Sequence, residues 1–272
     1  MIIEENYSLS ELLSLKGRTA VITGAGGALG RVFAETLAEL GASLCLVDRD
    51  AEALKNVALA VSSVWPVDIL EIVIDLVENV DRNFIFTECA KKLSPPHILV
   101  NNAAFVGSSN LQGWAVPFLE QSITTWKQAM DVNLTSVFEL SQLFCRQLTE
   151  EQQGSIINIA SIYGLLGPHM SFYEGTSMGN PAAYAASKGG VIQLTRWLAT
   201  VLGPEVRVNS ITPGGIERNQ PAAFVEKYVA STPLGRMGRE HDLKGGLAFL
   251  ASDASRWVTG SNLVIDGGFS AW

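Results

Sequence analysis

Tyr184 and Lys188 stand four residues apart in Tyr-Ala-Ala-Ser-Lys. On a helix that spacing puts a phenol and an ammonium on one face. A phenol ordinarily loses its proton at about pH 10. A fixed cation beside it favours the phenolate, so Tyr184 is expected to act as an acid or base near neutral pH. Taken alone, the pair describes many solvated helix faces. Its company gives it meaning: Ser161 follows the apolar run Ser155–Ile159, where it can donate to a carbonyl oxygen, and Asn133 lies in Asp131-Val-Asn-Leu134.

A second constellation is Thr23-Gly-Ala-Gly-Gly-Ala-Leu-Gly30, which follows the first apolar run. Glycines there permit a tight turn and bring backbone N–H groups at a helix start close to a pyrophosphate. Gly24, Gly26 and Gly30 depart from the general G-x-G-x-x-G pattern, because Leu29 takes its last place. Asp48, 24 residues after Gly24, ends the second apolar run. A carboxylate there accepts the ribose hydroxyls of an adenosine and repels a 2′-phosphate. No Lys or Arg lies between Thr23 and Gly30 to attract that phosphate. NAD is therefore favoured over NADP. Arg49 counts the other way, being placed to stack on adenine or to reach a phosphate.

These residues need a scaffold, and strand-like and helix-like segments alternate along the chain. Strands are expected at 18–23, 43–47, 68–74, 97–100, 155–159, 206–211 and 263–265, and helices at 31–40, 51–61, 83–93, 125–148 and 182–202. Continuous apolar strands between helices indicate a parallel sheet covered on both faces. The expectation is one doubly wound α/β domain of Rossmann type, residues 15–272, with a seven-stranded, mostly parallel sheet after an extension at 1–14. Asp48, Asp75, Asn101, Ser161 and Pro213 all fall at strand ends, where ligands sit in such sheets.

Composition excludes several classes. Apolar residues make up 47% of the 272 and charged residues 17%, which argues against disorder. The net charge of −8 and the absence of a Lys/Arg cluster argue against nucleic acid. No apolar run is long enough to span a membrane, and the start of the chain lacks the pattern of a signal peptide, so a cytoplasmic protein is expected. Cys45, Cys89 and Cys145, like His97, His169 and His241, are scattered, and no metal site is expected.

With these residues in place the chain resembles the short-chain dehydrogenase/reductase family, in its classical branch, over roughly Leu15 to Gly268. The family's T-G-x-x-x-G-x-G matches Thr23, Gly24 and Gly30, with Ala28 at the middle glycine. Its N-N-A-G is Asn101-Asn102-Ala103-Ala104, and Asp75-Leu76 matches the adenine-contacting acidic position. The family's catalytic Asn, Ser, Tyr and Lys correspond to Asn133, Ser161, Tyr184 and Lys188. Its P-G motif is Pro213-Gly214, but Glu217, Arg218 and Asn219 stand where a threonine is usual, leaving the Ile216 backbone to meet the nicotinamide carboxamide. The resemblance implies that Tyr184 exchanges a proton with a substrate oxygen while the nicotinamide exchanges hydride with the carbon. Lys188 would bind the nicotinamide ribose and lower the tyrosine pKa, Ser161 would orient the reacting oxygen, and Asn133 would support a proton relay.

Ser161 and Tyr184 are 23 residues apart, wider than the family's usual gap, and the surplus forms a loop at about 165–180. Its polar groups include His169, Tyr173, Glu174 and Ser177, and beyond Pro213 lie Arg218 and Asn219. The expected substrate contacts are Ser161, His169, Tyr173, Glu174, Arg218 and Asn219. Tyr173-Glu-Gly-Thr-Ser-Met, Asn180-Pro and Asn219-Gln-Pro resemble bacterial oxidoreductases of flagellin modification and surface-sugar biosynthesis. The expected substrate is a sugar or amino-sugar derivative. The alternatives are a 3-oxoacyl thioester and, in another class, a dinucleotide sensor without turnover. A homotetramer is expected from the resemblance, with Phe138, Leu140, Leu143, Phe144 and Trp197 on the long helices and Phe269 and Trp272 near the terminus as candidate contacts.

Overall fold

A computed structural model describes residues 8–77, 81–149, 153–176 and 178–272. Residues 1–7 of the expected extension and Ser177 of the expected loop lie outside the described residues.

In chain order the described elements begin with α1 (Leu9–Leu13), β1 (Thr19–Thr23), α2 (Ala28–Glu39), β2 (Ser43–Asp48), α3 (Ala51–Ser62), β3 (Ile69–Val73), α4 (Asn83–Lys92) and β4 (Ile98–Asn101). There follow α5 (Ile123–Met130), α6 (Ser136–Cys145), β5 (Gly154–Ile159), α7 (Ala182–Leu202), β6 (Val206–Pro213), α8 (Ala222–Ala230), α9 (Lys244–Ala251) and β7 (Asn262–Ile265). The seven strands form one sheet in the order β3-β2-β1-β4-β5-β6-β7. Every pairing is parallel, so the sheet is wholly rather than mostly parallel.

Strand side chains alternate between the two faces, and both faces are dry. Ile22, Leu44, Leu46 and Ile98 point to one side and pack with Phe33, Leu37, Leu54 and Leu247 of α2, α3 and α9. Val21, Cys45, Val47, Leu99 and Ile156 point to the other and pack with Phe86, Leu140, Phe144 and Leu198 of α4, α6 and α7. Burial on both sides explains why these strands read as unbroken apolar runs. No helix among the described residues is long and apolar enough to cross a membrane.

The helix expected at 125–148 is interrupted. Between α5 and α6 the backbone widens into a π-helical turn at Asp131–Thr135, with Asn133 at its centre. Residue spacing alone does not reveal such a turn, because the widening leaves the apolar pattern on either side intact. Alpha-helices α1, α8 and α9 were not anticipated; α1 begins at a capping box formed by Ser8 and Glu11, the sequence signature of a helix start.

Candidate active site

A cavity of about 820 Å³ opens along the carboxyl ends of β1 to β6. At one end Thr23 and Asn102 lock the tips of β1 and β4 together. The Thr23 hydroxyl accepts from the backbone N–H groups of Asn102 and Ala103, both at 3.1 Å. The Asn102 amide donates to the Thr23 and Gly24 carbonyls, both at 3.0 Å. The turn can then approach this clamp only without side chains. Gly24 has φ +64°, and a Cβ on it would lie 2.9 Å from Ala103 Cα.

Gly27 caps α2 without a side-chain hydrogen bond, and Ala28 and Leu29 in the first helical turn line the cavity. An anion is stabilised at such a helix start. Gly26 and Gly30 do not line the cavity; their part is in shaping the turn. Gly26 donates its N–H to Asp48 Oδ2 at 2.9 Å, and Asp50 donates to Asp48 Oδ1 at 3.1 Å. Two backbone donors thus hold the Asp48 carboxylate on the cavity wall. Arg49 lies over the Phe105 ring, 5.7 Å from its centroid, and 3.7 Å from Asp75 Oδ2. Its charge is turned toward a carboxylate and an aromatic face. Leu76, Ala103 and Ala104 complete this end. A bare helix start, a fixed carboxylate and a cavity that follows the strand ends fit a dinucleotide.

At the other end Ser161, Tyr184 and Lys188 line the cavity, together with Pro213, Gly214 and Ile216. Ser161 is carried by the tip of β5, and its hydroxyl accepts from the Tyr163 N–H at 3.2 Å. Tyr184 and Lys188 rise from the first turns of α7. The Lys188 ammonium donates to the Ile159 carbonyl at 2.6 Å and lies 5.9 Å from the Tyr184 ring centroid. Gly164 permits a close approach here: a Cβ on it would sit 2.7 Å from the Lys188 carbonyl.

The expectation that Lys188 depresses the Tyr184 pKa is not met. Burial pushes the Tyr184 phenol above its ordinary value, and the Ser161 hydroxyl only partly offsets this. Burial also lowers Lys188 from 10.5 to about 8, and its ammonium is spent on a carbonyl. Desolvation disfavours the charged form of both groups and is the largest cause of each shift.

The Lys188 shift has a measurable sign. Below about pH 8 the lysine is protonated folded and unfolded, and the fold bears the whole cost of burying it. Between about 8 and 10.5 the unfolded chain holds more protons, so stability rises with pH. We expect the melting temperature of wild type to rise across that window relative to Lys188→Met, in thermal scans run without cofactor. Parallel curves would contradict the burial of a charged Lys188.

Asn133 does not reach the cavity. Its Oδ1 accepts from the Phe105 N–H at 2.7 Å, and its Nδ2 donates to the Phe105 carbonyl at 3.0 Å and to Ser187 Oγ at 3.1 Å. With all these bonds made it is a positioning residue, tying the loop after β4 to the π turn and to α7. His169 and Glu174 also fall outside the cavity, correcting the expectation that they face substrate. His169 stacks on Phe172 at 5.2 Å and meets Phe269 edge-on, and Glu174 is exposed. Arg218 and Asn219 do line the cavity, Arg218 paired with Glu240 at 2.9 Å and Asn219 at a positive φ of 55°. Tyr173 lines it too, buried, its hydroxyl 2.7 Å from that of Tyr163.

Several lining residues escaped sequence reading: Tyr163, Asn180, Phe224, Tyr228 and Met237. Tyr163 had a signal, standing two residues beyond Ser161 at the same strand tip. Phe224 and Tyr228 had another, the i,i+4 spacing of a helix face. Asn180 and Met237 had none.

The chain matches the family model described as enoyl-(acyl carrier protein) reductase over residues 24–270. It is 34% identical over 266 residues to a galactitol 2-dehydrogenase (L-tagatose-forming) of Cereibacter sphaeroides, covering 95% of this chain and 97% of that one. It is 30% identical to a 3-oxoacyl-[acyl-carrier-protein] reductase of Aquifex aeolicus, over 94% and 98% of the two chains. Among solved structures it is similar to a short-chain type dehydrogenase/reductase from Mycobacterium marinum, with TM-score 0.86 and 31% identity over 97% of this chain and 100% of that one. It is also similar to a gluconate 5-dehydrogenase from Burkholderia cenocepacia in complex with NADP and tartrate, with TM-score 0.85 and 30% identity over 97% and 100%.

Proposed function

Because the chain belongs to the short-chain dehydrogenase/reductase family and is an oxidoreductase acting on CH–OH groups with a nicotinamide cofactor, we propose that it interconverts a secondary alcohol and a ketone of a sugar or sugar alcohol, with NAD. The observation that carries this reading is the convergence of Ser161, Tyr184 and Lys188 at one end of a cavity whose other end is the glycine turn and Asp48. The galactitol and gluconate dehydrogenases among the similar proteins support the sugar part. The acyl-carrier-protein reductase, at similar identity, supports the alternative of a 3-oxoacyl substrate.

A nicotinamide dinucleotide bound in the cavity supplies the hydride acceptor or donor. Gly24, Ala28 and Leu29 would hold its pyrophosphate, Asp48 its adenosine ribose, Asp75 and Leu76 its adenine edge, and Lys188 the second ribose. Tyr184 holds or takes the proton of the reacting oxygen at its Oη. Ser161 donates to that oxygen and keeps it beside the phenol. The raised Tyr184 phenol makes oxidation the direction favoured by alkaline pH, since the base form must be populated.

Asp48 decides the cofactor in this reading. Asp48→Ala removes the ribose acceptor and the repulsion of a 2′-phosphate. We expect the NAD/NADP ratio of kcat/KM to fall by about tenfold or more, consistent with losing hydrogen bonds to a charged acceptor. Equal use of both cofactors by wild type would contradict the assignment.

We further propose that residues 15–272 form one domain after the 1–14 extension, supported by the unbroken sheet, and that the protein works in the cytoplasm, in keeping with three unpaired cysteines. A homotetramer is supported by large apolar side chains left in water: Phe138 and Trp197 on α6 and α7, and Trp257 and Trp272 near β7. Leu140, Leu143 and Phe144 pack on the sheet instead, and Phe269 is buried in its own chain against Tyr228, at 4.6 Å between rings. Light scattering should read four chains per particle, and one chain would refute the proposal.

A further inference from the structure

Ser171, Phe172 and Tyr173, between Ser161 and Tyr184, are anchored to α8. Phe172 and Tyr173 pack on Phe224 of α8, with ring centroids 6.3 and 5.4 Å away. The Lys227 ammonium donates to the Ser171 carbonyl at 2.5 Å. This anchoring fixes the Tyr173 hydroxyl 2.7 Å from that of Tyr163, and the Asn180 amide donates to Tyr173 from 3.5 Å. All three residues line the cavity. Tyr163 is near enough to Tyr184 that a charge on one disfavours a charge on the other. With Asn180 donating to Tyr173 and one phenol proton shared between the two hydroxyls, the other phenol proton is left to donate into the cavity.

The charge around this end is equally specific. Among the described lining residues away from the glycine turn and the Arg49–Asp75 end, only Lys188 and Arg218 carry charge. Lys188 is bound to the Ile159 carbonyl, and the Arg218 guanidinium is paired with Glu240. Glu240 balances the Arg218 charge through Nε, so that pair brings no net charge to this end, and no carboxylate lining it awaits an ammonium. Apolar side chains line this end as well, Ile162, Met178, Phe224 and Met237 among them, so an acyl chain is the competing ligand that the test must exclude. The Phe172 and Phe269 rings pack on each other, 6.3 Å apart, and neither lines the cavity.

From this geometry we infer that the substrate is an uncharged polyhydroxylated chain, an alditol or its ketose, and that the Tyr163–Tyr173 hydroxyl pair binds a hydroxyl group next to the reacting carbon. This deepens, and rests on, the sugar reading above. It separates that reading into neutral polyols on one side and aldonates or amino sugars on the other. The hydroxyl pair sets specificity by leaving a buried donor unmatched when the substrate lacks a hydroxyl at that place, a penalty that falls on binding.

The test takes purified full-length protein with NAD(H) and compares galactitol, mannitol, pentitols and their ketoses with gluconate and a short 3-oxoacyl thioester. At least one neutral polyol or ketose should exceed gluconate about tenfold in kcat/KM. Tyr173→Phe should raise the KM of that polyol by about tenfold, the worth of one or two neutral hydrogen bonds, with kcat within about twofold and NADH affinity unchanged. Because the two phenols act in one chain, Tyr163→Phe/Tyr173→Phe should be no worse than Tyr163→Phe alone. NADH affinity reports that each variant is folded. Preference for gluconate would overturn the neutral assignment and leave the sugar reading standing. Reduction of the thioester with no turnover of any sugar would overturn both. An unchanged KM in Tyr173→Phe, or no turnover of any neutral polyol or ketose, would overturn the inference.

Discussion

Tyr184→Phe should lower kcat by about a thousandfold, within the range that a positioned acid or base contributes, while NADH binds within about twofold of wild type. The variant removes one oxygen and keeps the ring. Its ring packing against the cluster of Phe105, Trp114, Ala129 and Val132 and its distance from Lys188 persist, so the fold and the cofactor site are preserved. What is lost is the phenol that is hydrogen-bonded to Ser161 and has the Lys188 ammonium beside its ring. Burial makes the loss severe. The phenol sits where charge is costly, water is a poor substitute there, and no second titratable oxygen takes over. Tyr163 is likewise held from ionisation, by burial and by its phenol neighbours. The measurements are steady-state rates in both directions and a fluorescence titration with NADH. Full activity in the variant would remove Tyr184 from the chemistry.

Gly30→Ala should abolish tight cofactor binding, with the NADH dissociation constant rising by at least about tenfold. An added Cβ would lie 2.1 Å from the Gly24 carbonyl oxygen and 2.6 Å from Ala25 Cα. Both are backbone atoms, so no side chain can swing aside, and the turn itself must shift. Overpacking of this kind costs about 1–3 kcal/mol and sometimes more, and the shift displaces the N–H groups that face the pyrophosphate. Gly245→Ala is the matched control. It lies in α9 with nothing within 4 Å of the new Cβ, and alanine is the better helix former. That variant should keep wild-type affinity and melt at the same temperature or slightly higher. Equal affinity in both variants would mean that the turn does not hold the dinucleotide.

Much of the scaffold was legible because its signals are local. Each buried strand announces itself as an apolar run, and each ends in the residue type that its site needs, as Asp48 and Ser161 do. The long helix α7 was readable to the residue, Ala182–Leu202, since Pro181 and Gly203 bracket it. The π turn was not, because it is stabilised from a distance: Asn133 grips the Phe105 backbone 28 positions away. The substrate end was the least legible. His169 and Glu174 are polar residues in a polar loop, and nothing local shows that one stacks on Phe172 while the other faces solvent. Tyr163 and Tyr173 become a pair only after Phe172 and Tyr173 dock on α8, a contact between segments about 50 residues apart. The pKa balance of Tyr184 and Lys188 failed for a related reason. Spacing places the two groups together, but the depth at which they are buried is a property of the assembled sheet and helices.

The central claim is hydride exchange between the carbon of a secondary alcohol and a nicotinamide, with Tyr184 handling the proton. It is tested most directly by mixing the protein with NAD and galactitol deuterated at its secondary carbons, then analysing the nicotinamide by mass spectrometry. The account predicts deuterium in the reduced nicotinamide, a ketose as co-product, and neither in Tyr184→Phe. Tight NADH binding with no deuterium transfer from galactitol or any other secondary alcohol would contradict it, and would make the protein a dinucleotide binder without turnover.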